Sequence, residues 1–174
     1  MNENEIVCFS PPLNRRGKAA ILAAALGLLI PLGLRFSGLM PRLLWEGLAF
    51  AFGCVFLWMS LRYLFVRYRY EIAEAENGKE YLYVTSTQGR RATQLARLPL
   101  CCLCAVSFVT PAEEKAAKKN GKQTAPLHRY HAQLFPERLL SLVFDSEGEI
   151  IRVQLDADEP FAAALSARLP LSEG

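Results

Sequence analysis

Histidine is nearly missing from this 174-residue chain, which has only His128 and His131. That scarcity leaves little material for imidazole-based metal sites, or for a nucleophile that needs an adjacent base. A Gly-rich phosphate loop is also missing, since Asn120-Gly121-Lys122 is too short to be one. Charge excess is lacking after the first third: from Arg67 onward there are 14 Lys and Arg against 14 Asp and Glu. Nucleic-acid binding calls for a basic face on the folded domain, so no nucleic-acid partner is expected. A disulfide framework is lacking as well. The five cysteines are an odd number, and Cys101, Cys102 and Cys104 crowd into four positions, a pattern of reduced thiols.

What the chain does have is apolar length. Residues are 52% hydrophobic, and the excess sits in Ala19–Leu34 and Leu43–Val66. No charged residue occurs between Lys18 and Arg35. A helix rises about 1.5 Å per residue, and roughly 20 apolar residues cross the hydrocarbon core of a bilayer. Two such stretches with so short a link predict an antiparallel transmembrane hairpin over 18–66, with spans at about 19–40 and 43–66. Residues 1–17 are then a tail, with Pro11 and Pro12 opposing regular structure, and 67–170 a separate domain.

Basic residues set the expected orientation. Arg15, Arg16 and Lys18 precede the first span, and Arg62, Arg67 and Arg69 close the second, whereas the link carries only Arg35 and Arg42. The positive-inside tendency places both termini in the cytoplasm, in a multi-pass protein of the inner or plasma membrane. The same six residues are the candidate membrane-interface site. Trp45, Trp58 and Tyr63 suit interfacial anchoring, and Glu46 stands four residues after Arg42, where it can pair with it. Cleavage as an export signal is not expected, because no small-x-small site follows and a second span comes almost at once. Pro31 is expected to kink or end the first helix, and Gly47, Gly53 and Cys54 offer small surfaces for helix approach.

After the spans the apolar period changes to two. Tyr68, Tyr70 and Ile72 alternate with Arg69 and Glu71, and Asn77-Gly78 suits a tight hairpin turn. A second strand covers Tyr81–Thr85, Gly89 marks a turn, a third strand ends at Pro99, and Leu100–Val109 reads as the fourth of an antiparallel meander. Pro111–Pro126 is either an Ala/Glu/Lys helical turn or a loop. Tyr130–Phe135, Leu139–Phe144 and Ile150–Leu155 are three more strands, the last two joined by Asp145–Glu149. Asp156 and Asp158 before Pro160-Phe161 announce a helix, and Phe161, Leu165 and Leu169 recur every four residues as its apolar face.

Three features carry a resemblance: Tyr68-Arg69-Tyr70-Glu71-Ile72 directly after the spans, Asn77-Gly78-Lys79-Glu80-Tyr81 in the first hairpin, and Asp156-Ala157-Asp158-Glu159-Pro160-Phe161 opening the last helix. With the strand order, they make the chain similar to bacterial pleckstrin-homology-like (PH-like) domain proteins that carry an N-terminal two-helix membrane hairpin. The resemblance implies an α+β membrane protein whose seven-stranded antiparallel barrel or sandwich is closed by the C-terminal helix. It also implies a membrane-tethered interaction or scaffolding module. Phosphoinositide reading does not carry over, because Glu74–Glu80 is net acidic where relatives that bind such lipids are basic.

The remaining chemistry weighs less. Cys101, Cys102, Cys104, His128 and His131 are the only metal-like set, but neighbouring strand residues point to opposite faces, so buried thiols acting as small hydrophobes are expected, with no metal and no cofactor. Glu113, Glu114, Asp145, Glu147 and Glu149 fall in expected loops, and Lys115–Lys122 reads as a solvated run. The leading expectation is self-association or binding of a membrane protein at the lipid bilayer. An accessory subunit of a transport or envelope-stress system comes second, and an enzyme using the Cys101–Cys104 region third.

Overall fold

The computed structural model describes residues 6–37, 41–119, 125–146 and 148–169. It is an α+β protein with two long apolar helical segments and two sheets. Two compact units divide it: Met1–Pro12 with Arg67–Ala132 and Pro136–Gly174, and Leu13–Val66 with Gln133–Phe135. The stretches 1–5, 38–40, 120–124 and 170–174, and Glu147, fall outside the described residues, and with them Asn120-Gly121-Lys122 and the end of the first expected span.

In the helical unit, α1 (Arg15–Gly27) and α2 (Leu29–Ser37) run almost continuously, and α3 (Arg42–Met59) continues into a π-turn at Ser60–Leu64. Leu28 interrupts the first segment, its N–H bonding back to Ala25. Pro31 explains the break, because its ring excludes the carbonyl four residues earlier, that of Gly27, and it has no N–H to offer it. The helix is interrupted at Leu28 and resumes as α2. Arg15–Phe36 and Arg42–Leu64 are both long and apolar enough to cross a membrane.

Close approach between the helices occurs at Gly27, not at the expected small residues of α3. A Cβ at Gly27 would stand 2.9 Å from the Phe52 ring, whereas Gly47 and Gly53 have open space and Cys54 is exposed. Arg35 lies over the Trp45 ring at 5.1 Å. Both contacts pair residues whose numbers sum to nearly the same value, which is the signature of antiparallel helices. Few residues of the two segments are buried: Gly17, Ile21, Gly27 and Pro31 in the first and Ser60 in the second. Gly27→Leu is expected to destabilise the unit by about 1–3 kcal/mol in detergent thermal melts, the usual cost of overpacking, while Gly47→Leu leaves the melt unchanged. Equal melts for the two variants would refute this packing.

The sheet unit has eight strands among the described residues, not seven. One sheet runs β1 (Ile6–Phe9), β2 (Val66–Glu74), β3 (Glu80–Gln88), β4 (Arg91–Pro99). The other is ordered β5 (Leu103–Val109), β7 (Leu139–Ser146), β8 (Glu149–Leu155), β6 (Leu127–Tyr130). They do not close into a barrel. The added strand lies in what the sequence suggested was a tail: Ile6–Phe9 pairs antiparallel with Arg69–Ile72, and Ser10 exchanges two hydrogen bonds with the Tyr68 backbone. This pairing spans some sixty residues of chain, so no local pattern announced it.

The meander also stops one strand early. After Pro99 a 3-10 turn at Leu100–Cys102 ends β4, and β5 joins the second sheet beside β7. The strand expected at Tyr130–Phe135 is β6 at Leu127–Tyr130, parallel to β8, and no strand follows it until Leu139. The turns stand where expected, with Gly78, Gly89 and Gly148 at positive φ.

Pro111–Lys119 is a helix, α4, and its start is a reciprocal cap: Thr110 Oγ1 accepts from Glu113 N, while Glu113 Oε2 accepts from Thr110 N at 2.7 Å. The last helix, α5 (Glu159–Ser166), is capped by Asp158 accepting from Phe161 N. Phe161, Ala162 and Leu165 are its buried face; Leu169 lies beyond the helix end and is half-buried. Arg168 grips Glu80 with two hydrogen bonds of 2.9 and 3.0 Å, tying the chain after α5 to the start of β3. Leu82, Val84, Leu103, Leu140, Leu142, Phe144 and Leu155 fill the core with Tyr70 and Ile72.

Candidate membrane-interface site

Arg15, Arg16 and Lys18 occupy the first turn of α1, all exposed. Cations there oppose the helix dipole, and no acidic residue offsets them. Helix stability therefore does not account for their position. Arg62 falls in the π-turn after α3, where a cation suits the dipole instead. Because the helices are antiparallel, the start of α1 and the end of α3 lie at one end of the bundle. Four of the six expected interface residues, Arg15, Arg16, Lys18 and Arg62, thus share that end.

Arg67 and Arg69 belong to the sheet unit. Arg67 is exposed on β2, its carbonyl accepting from Thr87 Oγ1 at 3.2 Å. Arg69 is half-buried and paired with Glu71 at 2.9 Å, so part of its charge is met within its own strand.

The opposite end of the bundle holds a second polar group. Arg42 pairs with Glu46 at 2.7 Å, as the four-residue spacing predicts, and Arg35, Arg42, Trp45 and Glu46 line an open recess of about 540 Å³. Trp58 and Tyr63 meet edge to face at 6.0 Å near the Arg62 end. Each end of the apolar section thus carries Arg and Trp side chains, the residue types suited to a boundary between hydrocarbon and water.

Sequence reasoning missed Asn14. Its Oδ1 accepts from Gly17 N at 2.8 Å, capping α1, and its backbone N–H donates to Gln133 Oε1 at 3.0 Å. Its Nδ2 donates to the Phe135 carbonyl. One side chain thus starts the helix and holds a segment more than a hundred residues away. An Asn before a basic, Ala-rich run is a legible cap signal; its distant partners are not.

The thiols are not buried hydrophobes. Cys101 is exposed and Cys102 half-exposed in the 3-10 turn after β4, and Cys104 is exposed on β5. Cys101 and Cys102 sulfurs are 3.9 Å apart, and burial first, then the Cys101 thiol, pushes Cys102 above its usual range. That direction runs against a ready nucleophile. His128 stacks on Tyr130 at 6.3 Å. Among the described residues no three His, Cys, Asp or Glu side chains gather in a way suited to a metal ion.

The acidic residues do structural work that loops would not have needed. Glu113 caps α4, Glu114 pairs with Arg129 of β6 at 2.7 Å, and Asp145 accepts from Gly148 N at 3.0 Å. Lys115, Lys118 and Lys119 are exposed on α4, while Lys122 is outside the described residues. Near the first hairpin, Glu74, Glu76, Asn77, Tyr83 and Arg97 line an open recess of about 460 Å³. Its cation, Arg97, lies 4.1 Å over the Tyr81 ring. The acidic rim gives an anionic headgroup no favourable field.

Compared with known proteins, no family model matches this chain, and no curated protein matches it in sequence.

Proposed function

We propose that this protein is a membrane-anchored interaction module: a two-helix hairpin in the bilayer of an inner or plasma membrane, carrying a PH-like β domain on the cytoplasmic side. It acts by binding, either to a second copy of itself or to another membrane protein. The observation that carries the reading is the exposure of the apolar helices. Only 17% of the most apolar window of Arg15–Phe36, and 6% of that of Arg42–Leu64, is buried. A core helix of a soluble protein hides its apolar face, whereas these present Leu22, Leu26, Leu29, Leu44, Phe50 and Leu57 outward. Lipid is the medium in which that surface costs nothing. The basic end formed by Arg15, Arg16, Lys18 and Arg62 supports placing it at the inner leaflet.

Two sheets with a C-terminal helix packed among their buried residues support the PH-like assignment, although β1 and the split after β4 depart from the expected strand order. Membrane pellets washed with alkaline carbonate should retain the full-length chain, and native mass measurement of the detergent-solubilised protein should give multiples of its 19.4 kDa mass. A monomer that binds no copy of itself points to a heterologous partner, as an accessory subunit would need. Release by carbonate ends the membrane reading.

A further inference from the structure

Gln133–Phe135 belongs to the connection between β6 and β7, yet it groups with the helices. Its hold on the start of α1 is specific: Gln133 is buried and accepts from the Asn14 backbone, and the Phe135 carbonyl accepts from the Asn14 side chain. Phe135 itself is 49% exposed, and no aromatic or cationic partner is found for its ring among the described residues. An anchored backbone thus displays a half-exposed ring beside the residue that precedes Arg15 and Arg16.

We propose that Gln133–Phe135 is a third lipid contact, with the Phe135 ring inserted at the boundary between headgroups and acyl chains of the leaflet that faces Arg15, Arg16, Lys18 and Arg62. The inference rests on the membrane reading above. Three observations converge on lipid as the occupant. Hydrogen bonds to the N-cap of α1 hold the segment level with the beginning of the first span, the depth at which a crossing helix meets the headgroups. Arg15, Arg16 and Lys18, in the turn that Asn14 caps, complement anionic headgroups, and each basic residue near such a surface favours association. Continuity supplies the third, because the exposed apolar surface of the helices begins just over two turns after Asn14, at Leu22. An aromatic ring at this level exchanges water for acyl chain without moving its backbone. Asn14 is the positioning residue, and Phe135 makes the contact.

The test uses full-length protein in vesicles of phosphatidylcholine and phosphatidylglycerol, with a single tryptophan in each variant. One carries Trp45→Phe, Trp58→Phe and Phe135→Trp; the other carries Trp45→Phe alone and so reports from Trp58. Lipids brominated near the headgroup end of the acyl chain quench indoles at that depth. The F135W indole should be quenched comparably to Trp58 and shielded from aqueous acrylamide, and adding Asn14→Ala should reduce its lipid quenching. If Trp58 is quenched by lipid but the F135W indole responds only to acrylamide, the third contact is refuted while the membrane reading stands. Shielding from both quenchers also refutes it, because protein would then cover the ring. If neither indole responds to brominated lipid, the membrane reading fails and takes this inference with it.

Discussion

Tyr70→Phe should lower the stability of the sheet unit more than any other change of one polar atom. The Tyr70 ring is fully buried, its hydroxyl donates to the Tyr130 carbonyl at 2.6 Å, and it accepts from the Asp156 backbone N–H at 3.2 Å. The ring also lies parallel to Tyr68, at 6.5 Å, and tilted against Phe161 at 6.2 Å. One phenol therefore joins β2 to the ends of β6 and β8 and to the final helix. Burial pushes its ionisation far above the usual range, so it stays a neutral donor at every working pH. Removing the oxygen leaves the buried Asp156 N–H and the part-buried Tyr130 carbonyl without that partner, at about 1–3 kcal/mol for the buried group. The expected fall in melting temperature is on the order of 10 °C. Thermal melts of the detergent-solubilised protein check it, and a shift within a degree or two of wild type would show that water or relaxation replaces the hydroxyl.

The second large effect concerns the bilayer. Leu26 and Val55 lie near the middle of their apolar segments, and both are exposed. A central arginine costs about 2.5–3.5 kcal/mol on insertion scales, so Leu26→Arg with Val55→Arg should cost roughly 5–7 kcal/mol. The double variant should leave the carbonate-resistant pellet. Leu95→Arg with Ile150→Arg is the matched control, since Leu95 and Ile150 are exposed apolar residues of the sheet unit. That pair should leave fractionation unchanged. Retention of the Leu26→Arg, Val55→Arg protein in the pellet would mean that something other than hydrocarbon surrounds these helices.

Much of the fold was legible because its signals are local. Alternation over Tyr68–Ile72 placed β2, and Asn77-Gly78 placed the turn after it. Asp158 followed by Pro160 marked the start of α5, and Arg42 with Glu46 marked a pair on one helical face. Two further signals are equally local. Thr110-Pro111-Ala112-Glu113 is a capping-box pattern with proline at the first helical position, enough to choose helix over loop for α4. Asn14 is an evident helix cap. Other features had no local signal. The hydrogen bonds of β1 lie across the entire helical hairpin, and the departure of β5 to the second sheet depends on how the chain turns after Pro99. Cys101 is exposed because that turn takes it out of a strand, whereas Cys104 stays in β5 and is exposed on the strand's outer side.

Apolar length and the distribution of Lys and Arg by themselves determined that the first third of the chain forms two helices long enough to cross a membrane, because hydrophobic run length and charge placement are properties of consecutive residues. Only the tertiary structure decided that Gly27 is the point of close helix approach, that Ile6–Phe9 completes a sheet, and that Asn14 holds Gln133 and Phe135. Each of these joins residues far apart in the chain, and such pairings are selected by the fit of whole surfaces once the chain has folded.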